Sequence, residues 1–304
     1  MAKPPTLDEW RARGRYVEIN GRRVFVVEQG EGPRALVLLH GYPSFSYDFH
    51  AAVPRFAEHF VPKHCRVIAH DHLGFGLSDK PSDYSYSLVD QADFALALWR
   101  KLGVKSAHIL AHDYGTSVAT EIVARAGFGI EPVTIESLTL CNGSVHIELA
   151  DLRVIQRLLA DPRTGPMVAK LTNRRIFHQQ MRRLWADPAK ASDAELGVLW
   201  EGLTRDDGRR NLPTISRYIH ERRRLWHRWI GGLTRWDRPT HILWAKRDPV
   251  AVPAIAEQLL REIPGAVPTW FDDLGHYPML EDPARWSDAA LAFFGNVGAF
   301  GGSA

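Results

Sequence analysis

Residues Ala107 to Ala124 leave this chain few folds to choose from. An apolar run, Ala107-His108-Ile109-Leu110-Ala111, leads into Ala111-His112-Asp113-Tyr114-Gly115. The stretch from Thr116 to Ala124 follows with its apolar residues at helical spacing. Small-x-nucleophile-x-small between a strand and a helix is the pattern of a sharp elbow that lifts one side chain above a sheet. Its backbone is strained, so small residues must flank the apex, and Ala111 and Gly115 meet that demand. The apex residue is Asp113. A serine there would have to lose a proton and would suit carbonyl carbons. A carboxylate is already ionised at neutral pH and attacks saturated carbon, leaving an alkyl ester on the protein. An aspartate that merely caps a helix N-terminus is the plain alternative, and this segment alone leaves both open.

The remaining pattern points to a parallel sheet. Arg15–Ile19 and Arg23–Glu28 flank Asn20-Gly21, a two-residue hairpin signal. Ala35–Leu39 and Cys65–Ala69 are nearly continuous apolar runs, as strands buried on both faces are. Helical stretches at Leu88–Leu102 and Thr116–Ala126 alternate with them, and Ser137–Cys141 supplies a further strand. From about Val145 to Arg235, Arg-rich amphipathic segments and tryptophans replace the strand-like runs. Strands return at Thr240–Trp244 and Val267–Phe271, and Pro283–Phe294 reads as a last helix. The fold class is therefore α/β, a mostly parallel sheet flanked by helices with a helical insertion. Residues 1–144 and 236–304 form the two parts of the core, and 145–235 the insertion. The Gly301–Ala304 tail is expected to be disordered.

Composition excludes several classes. With 45% hydrophobic and 24% charged residues, a chain of 304 residues buries an ordinary soluble core. Cys65 and Cys141 lie far apart, offering neither a disulfide framework nor metal-ligand spacing. No apolar run approaches membrane-spanning length, and the N-terminus lacks an apolar signal core, so a soluble cytoplasmic protein is expected. The net charge of +3 hides 18 basic against 10 acidic residues between Val145 and Arg235, and 20 against 25 elsewhere. Without a nucleic-acid motif, runs such as Arg222-Arg223-Arg224 read as solvated helix faces. The turn Asp71-His72-Leu73-Gly74-Phe75-Gly76 has the wrong glycine spacing for a phosphate loop and is assigned to structure, as is His112.

Two later segments keep company with Asp113. Asp248, in Lys246-Arg247-Asp248-Pro249, follows one buried strand, and His276, in Leu274-Gly275-His276-Tyr277, follows the next. Nucleophile, acid, histidine is a known chain order for a relay at the carboxyl ends of parallel strands. His276 would activate water against the ester, and Asp248 would orient its ring. Backbone N–H groups of Tyr42, after His40-Gly41, and of Tyr114 would hold the charge that develops on the ester oxygen. His40 is expected to pack the loop, and Pro43 is a candidate for a cis peptide.

These segments together resemble the aspartate-nucleophile branch of the α/β-hydrolase superfamily, which holds epoxide hydrolases and haloalkane dehalogenases. The likeness is strongest to the mesoderm-specific transcript subgroup and its bacterial members. It rests on His40–Asp48, Leu73–Pro81, His112–Gly115 and Gly275–Pro278, and covers about Tyr16 to Phe294. It implies a cofactor-free, metal-free hydrolase with a cap. Dehalogenases usually hold the halide with a tryptophan directly after the nucleophile plus a second Trp or Asn; Tyr114 and Tyr42 stand at those positions here. Epoxide hydrolases use cap phenols as donors, and Arg217–Trp229 resembles the segment around one of them. Tyr218 is the sole tyrosine of the insertion. The second donor is then absent or replaced, and His178 is the candidate. The reading is an epoxide hydrolase acting on a small apolar substrate. Haloalkane dehalogenation through the same ester, an esterase-like or lipid-processing activity, and ligand binding without turnover are the alternatives. Natural substrate and oligomeric state stay open.

Overall fold

β1 (Gly14–Ile19) and β2 (Arg22–Gln29) form the hairpin that Asn20-Gly21 signals, with both turn residues at positive φ. The computed structural model describes residues 3–299; the Gly301–Ala304 tail lies outside the described residues. β2 pairs antiparallel with β4 (Cys65–His70), and all further pairings are parallel. They join β3 (Arg34–Leu39), β5 (Ser106–His112), β6 (Thr134–Cys141), β7 (Thr240–Ala245) and β8 (Val267–Phe271) into an eight-stranded sheet ordered β1-β2-β4-β3-β5-β6-β7-β8. Every residue of β4 and β7 is buried, because helices cover both faces, and that is why these strands read as nearly continuous apolar runs.

The core helices are α1 (Leu7–Arg11), α2 (Ala52–Phe60), α3 (Leu88–Lys101) and α4 (Tyr114–Ala126) in the first part. From β3 the chain turns outward to β4, then crosses back to place β5 on the other side of β3. The loops after β3 and β5 therefore diverge, making the crevice where open α/β sheets bind ligands. Leu39 and Ala111, the last apolar residues of the two strands, are in register.

Between Cys141 and Thr240 the described chain has no strand. It forms α5 (Val154–Ala160), α6 (Gly165–Leu171), α7 (Arg174–Arg182), α8 (Asp193–Thr204), α9 (Leu212–Ile215), α10 (Tyr218–Arg224) and α11 (Trp226–Thr234). α12 (Pro253–Glu262), α13 (Pro278–Glu281) and α14 (Pro283–Asn296) complete the core. The inserted helices are bolted to the core at Glu121 of α4. Its fully buried carboxylate accepts from Arg125, Arg228 and Trp229, each at 2.8 Å, so the buried charge is fully paired. This is one reason α4 is buried on nearly all sides. Among the described residues, no helix is long and apolar enough to cross a membrane.

Candidate active site

Asp113 sits at the turn from β5 into α4 with φ 42° and ψ −106°, a left-handed conformation that costs a non-glycine residue energy. Neighbouring atoms hold it there. The Asp113 N–H donates to Cys141 O, and Asp113 O accepts from Thr116 N and Oγ1. A Cβ on Gly115 would lie 2.5 Å from Leu39 O, so only glycine lets α4 start this close to β3. On the facing loop, a Cβ on Gly41 would lie 2.9 Å from the Asp113 Cβ. The side chain makes no capping bond to its own helix. Instead, Oδ2 accepts the Tyr42 N–H at 2.9 Å, which removes the helix-cap alternative. The Tyr42–Pro43 peptide is cis. Tyr114 opens α4, where a backbone N–H has no partner within the helix.

His276 approaches from the loop after β8. Its Nδ1 lies 2.6 Å from Asp248 Oδ2, and its Nε2 lies 4.0 Å from Asp113 Oδ2. Asp248 is held in turn by the N–H groups of Val250 and Ala251 on Oδ1 and by Asn142 Nδ2 on Oδ2. Burial alone would lower the His276 pKa. The Asp248 charge and hydrogen bond, with Asp113 behind them, reverse that and carry it up to about 9. Burial likewise works against ionised Asp248, but His276 and its three donors keep its carboxyl below the usual range. Both shifts favour the imidazolium–carboxylate pair of His276 and Asp248. His112 does support this loop, with Nε2 2.7 Å from His276 O. His40 packs as expected, its Nε2 accepting the His72 N–H. The Asp71 carboxylate takes the N–H groups of Ser46 and Leu77, in keeping with a structural role for its turn.

The inserted helices close the site from above. Tyr218, fully buried at the start of α10, packs its ring at 5.5 Å from both Tyr42 and Tyr114. Burial, then the Asp113 charge, push its pKa up, so the phenol keeps its proton. Gln156 Nε2 donates to the Tyr218 hydroxyl at 3.2 Å. A largely apolar cavity lies beside this pair, reaching Tyr42 and His276 at its floor, with Gln156, Leu159, Phe177 and Met181 among its walls. Asp113 lies behind that floor, 4% exposed.

Two readings of the insertion need correction. His178 is not brought to the site. It faces the outer side of α7, its Nδ1 3.3 Å from Asp193, beside Arg175 and Arg182, while its neighbour Phe177 takes the inward direction. Arg222 is not on a solvated face. It is 1% exposed and donates through Nε to Ser117 Oγ and through Nη2 to Asp113 O. Its Nη2 is also 3.8 Å from Asp113 Oδ1, and its guanidinium stacks 4.5 Å from the Tyr218 ring centroid. Arg223 and Arg224 are exposed as expected. The signal for Arg222 was present: it lies four residues after Tyr218, on the same helix face. Asp48 was also missed. It is fully buried, takes the Ser44 hydroxyl on Oδ2, and leaves Oδ1 without a partner. Burial pushes its carboxyl well above the usual range, toward the neutral form. Gln156 carried no signal in the sequence.

Residues 34–283 match the model of the α/β hydrolase fold family. A Mycobacterium tuberculosis protein named as a hydrolase, LipZ, is 37% identical over 95% of this chain and 98% of its own. The human mesoderm-specific transcript homolog protein is 33% identical over 95% of this chain and 88% of its own. More distant relatives include a Caenorhabditis elegans epoxide hydrolase and mycobacterial haloalkane dehalogenases. Among solved structures, the haloalkane dehalogenase DatA of Agrobacterium tumefaciens superposes with a TM-score of 0.78 at 20% identity, covering 93% of this chain and 96% of that one. That likeness speaks for the fold.

Proposed function

The chain belongs to the α/β hydrolase fold family, and within it we propose an epoxide hydrolase working through an ester on Asp113. Asp113 Oδ1 attacks an epoxide carbon from the side opposite the C–O bond, which breaks as Tyr218 passes its proton to the leaving oxygen. The Arg222 guanidinium beside the Tyr218 ring favours the phenolate left behind. Esterification removes the Asp113 charge, and with it one of the influences that hold His276 up near 9. The imidazolium passes its proton to the Tyr218 phenolate, and the neutral ring then becomes a base, taking a proton from water as the water oxygen bonds to the ester carbonyl carbon. The N–H of Tyr42, with that of Tyr114, holds the resulting oxyanion on Oδ2. Collapse expels the alkoxide, which takes the proton from His276 and leaves as a diol, and the proton on the re-formed Asp113 carboxyl returns to the His276 imidazole. Residues 145–235 act as the cap that keeps bulk water from the ester.

One observation carries the reading. Asp113 faces His276 across 4.0 Å, too far for the hydrogen bond by which a base takes a nucleophile's proton, yet bridgeable by water. An already ionised nucleophile followed by hydrolysis of its ester calls for that spacing. Halide release fits less well, because both phenols that replace the usual donors are engaged elsewhere. Tyr42 Oη is 3.0 Å from Ser216 Oγ, and Tyr114 Oη donates to Tyr86 O. The test is to incubate His276→Gln with styrene oxide and, separately, with 1-bromobutane, then measure the mass of the peptide bearing Asp113. Addition of the intact epoxide is expected. An alkyl adduct from the bromide alone would favour dehalogenation, and an unmodified peptide in both arms would overturn the ester mechanism.

A further inference from the structure

The cap carries a surface for which the chemistry above has no use. Val154 and Leu158 stand one turn apart on α5, and Met167 and Leu171 one turn apart on α6, with the two helices packed together. Val154, Met167 and Leu171 are 70%, 60% and 63% exposed, and Leu158 is exposed on the same helix as Val154. The other large exposed apolar residues among those described, Tyr16, Phe128, Ile130, Leu149 and Val267, lie outside these two helices, with Phe128 and Ile130 together in the turn after α4. A grouped set of this kind marks an interaction site. Around it lie Arg153, Arg157, Arg163, Lys170, Arg175 and Arg183, none of which makes an ion pair with a described residue. Asp151 and Asp161 are the acids between Leu149 and Arg183.

We infer that this face of the cap docks on an anionic lipid bilayer, its aliphatic side chains entering the acyl boundary and its arginines meeting the headgroups. Helices that lie in a membrane interface have this composition, apolar on one side with basic residues along the rim. Charge decides between a bilayer and a second copy of the chain. A two-fold contact would set this cationic face against itself, where like charges repel. Position supports the choice. The surface depression bounded by Val154, Arg157, Leu158 and Arg183 shares Arg153, Ile155 and Gln180 with the cavity that ends at His276. A docked molecule would thus open its cavity toward the phase in which apolar compounds concentrate.

The test is sedimentation of the full chain with sucrose-loaded vesicles, either of phosphatidylcholine alone or of phosphatidylcholine with phosphatidylglycerol. No substrate is present, so failure of the proposed chemistry leaves the readout untouched. Pelleting with the anionic vesicles is expected, weakened by salt and weaker with phosphatidylcholine alone. A basic residue near such a surface contributes roughly fivefold in partitioning. Arg157→Glu with Arg183→Glu is therefore expected to weaken binding at least about tenfold, and serine at Val154, Leu158, Met167 and Leu171 to abolish it. All six positions are exposed, and unchanged thermal unfolding of the variants confirms that they fold. Absence of pelleting, equal pelleting by wild type and variants, or a salt-stable dimer that the four-serine variant dissolves would each overturn the inference.

Discussion

The sheet core and the inserted helices, proposed above as a cap, hold their candidate site residues in different ways. Asp113, Asp248 and His276 each follow a parallel strand, so the sheet that aligns β5, β7 and β8 also brings their loops to one edge. The cap has no ladder. Tyr218, Gln156 and Arg222 reach the site only because helices dock in one arrangement, pinned at contacts such as Arg228 and Trp229 on Glu121. A sheet is stiff over the whole domain, whereas docked helices can be re-sorted by a few side chains. For the proposed reaction this amounts to a division of labour, with the ester made and broken on the core and the substrate selected and activated by the cap.

The largest effect expected from that division is in the core. Asp113→Ala should lower diol formation from styrene oxide by at least ~10⁴-fold, since no other group supplies the attacking oxygen. Turnover at the parent rate would sink the mechanism. In the cap, Tyr218→Phe should cost about 10²–10³-fold in kcat/KM, the usual worth of one well-placed donor to a developing charge. The two variants are also expected to differ in kind. Tyr218→Phe should lose much of its deficit on epoxides whose leaving oxygen is more stable as an anion, and Asp113→Ala should lose none. If both respond alike, nucleophile and donor are not divided between core and cap as proposed.

A comparison within one tripeptide is sharper, though smaller. Arg222→Met withdraws a buried cation from Asp113 and Ser117 and should lower the unfolding free energy by about 3 kcal/mol in chemical denaturation. Arg223→Met, on the exposed side of the same helix, should change it by about 0.5 kcal/mol or less. Equal losses would mean that Arg222 contributes only what a surface arginine does.

That tripeptide also shows where the sequence was legible. Periodicity and turn chemistry report how a segment relates to its immediate neighbours, and in a parallel sheet that settles most of its place. Runs such as Cys65–Ala69 can sit only inside a two-faced sheet, and Asn20-Gly21 can only turn a hairpin tightly. The order of Asp113, Asp248 and His276 then predicts their meeting. In the cap, periodicity reports which face of a helix is apolar but not what that face meets. Arg222 is charged on a face that turns inward, and Asp48 is an acid among Phe45, Tyr47 and Phe49 that the fold buries. Both contradict the local pattern, as groups kept for a site often do. Gln156 reads as ordinary helix because its task depends on α5 meeting α10.

The smallest expected effect tests that last point. His178→Ala should leave kcat/KM for styrene oxide within about twofold, because the ring faces Asp193 and Arg182 while Phe177 faces the cavity. Adjacent residues on a helix point about 100° apart, so α7 cannot present both at once. If His178→Ala instead lost as much as Tyr218→Phe, α7 would have to rotate about its axis in the working enzyme, carrying Phe177 and Met181 out of the cavity wall. Phe177→Ala would then become the milder substitution. Measuring the two side by side tells whether the cap as docked is the cap that meets the substrate, and no variant in the core can.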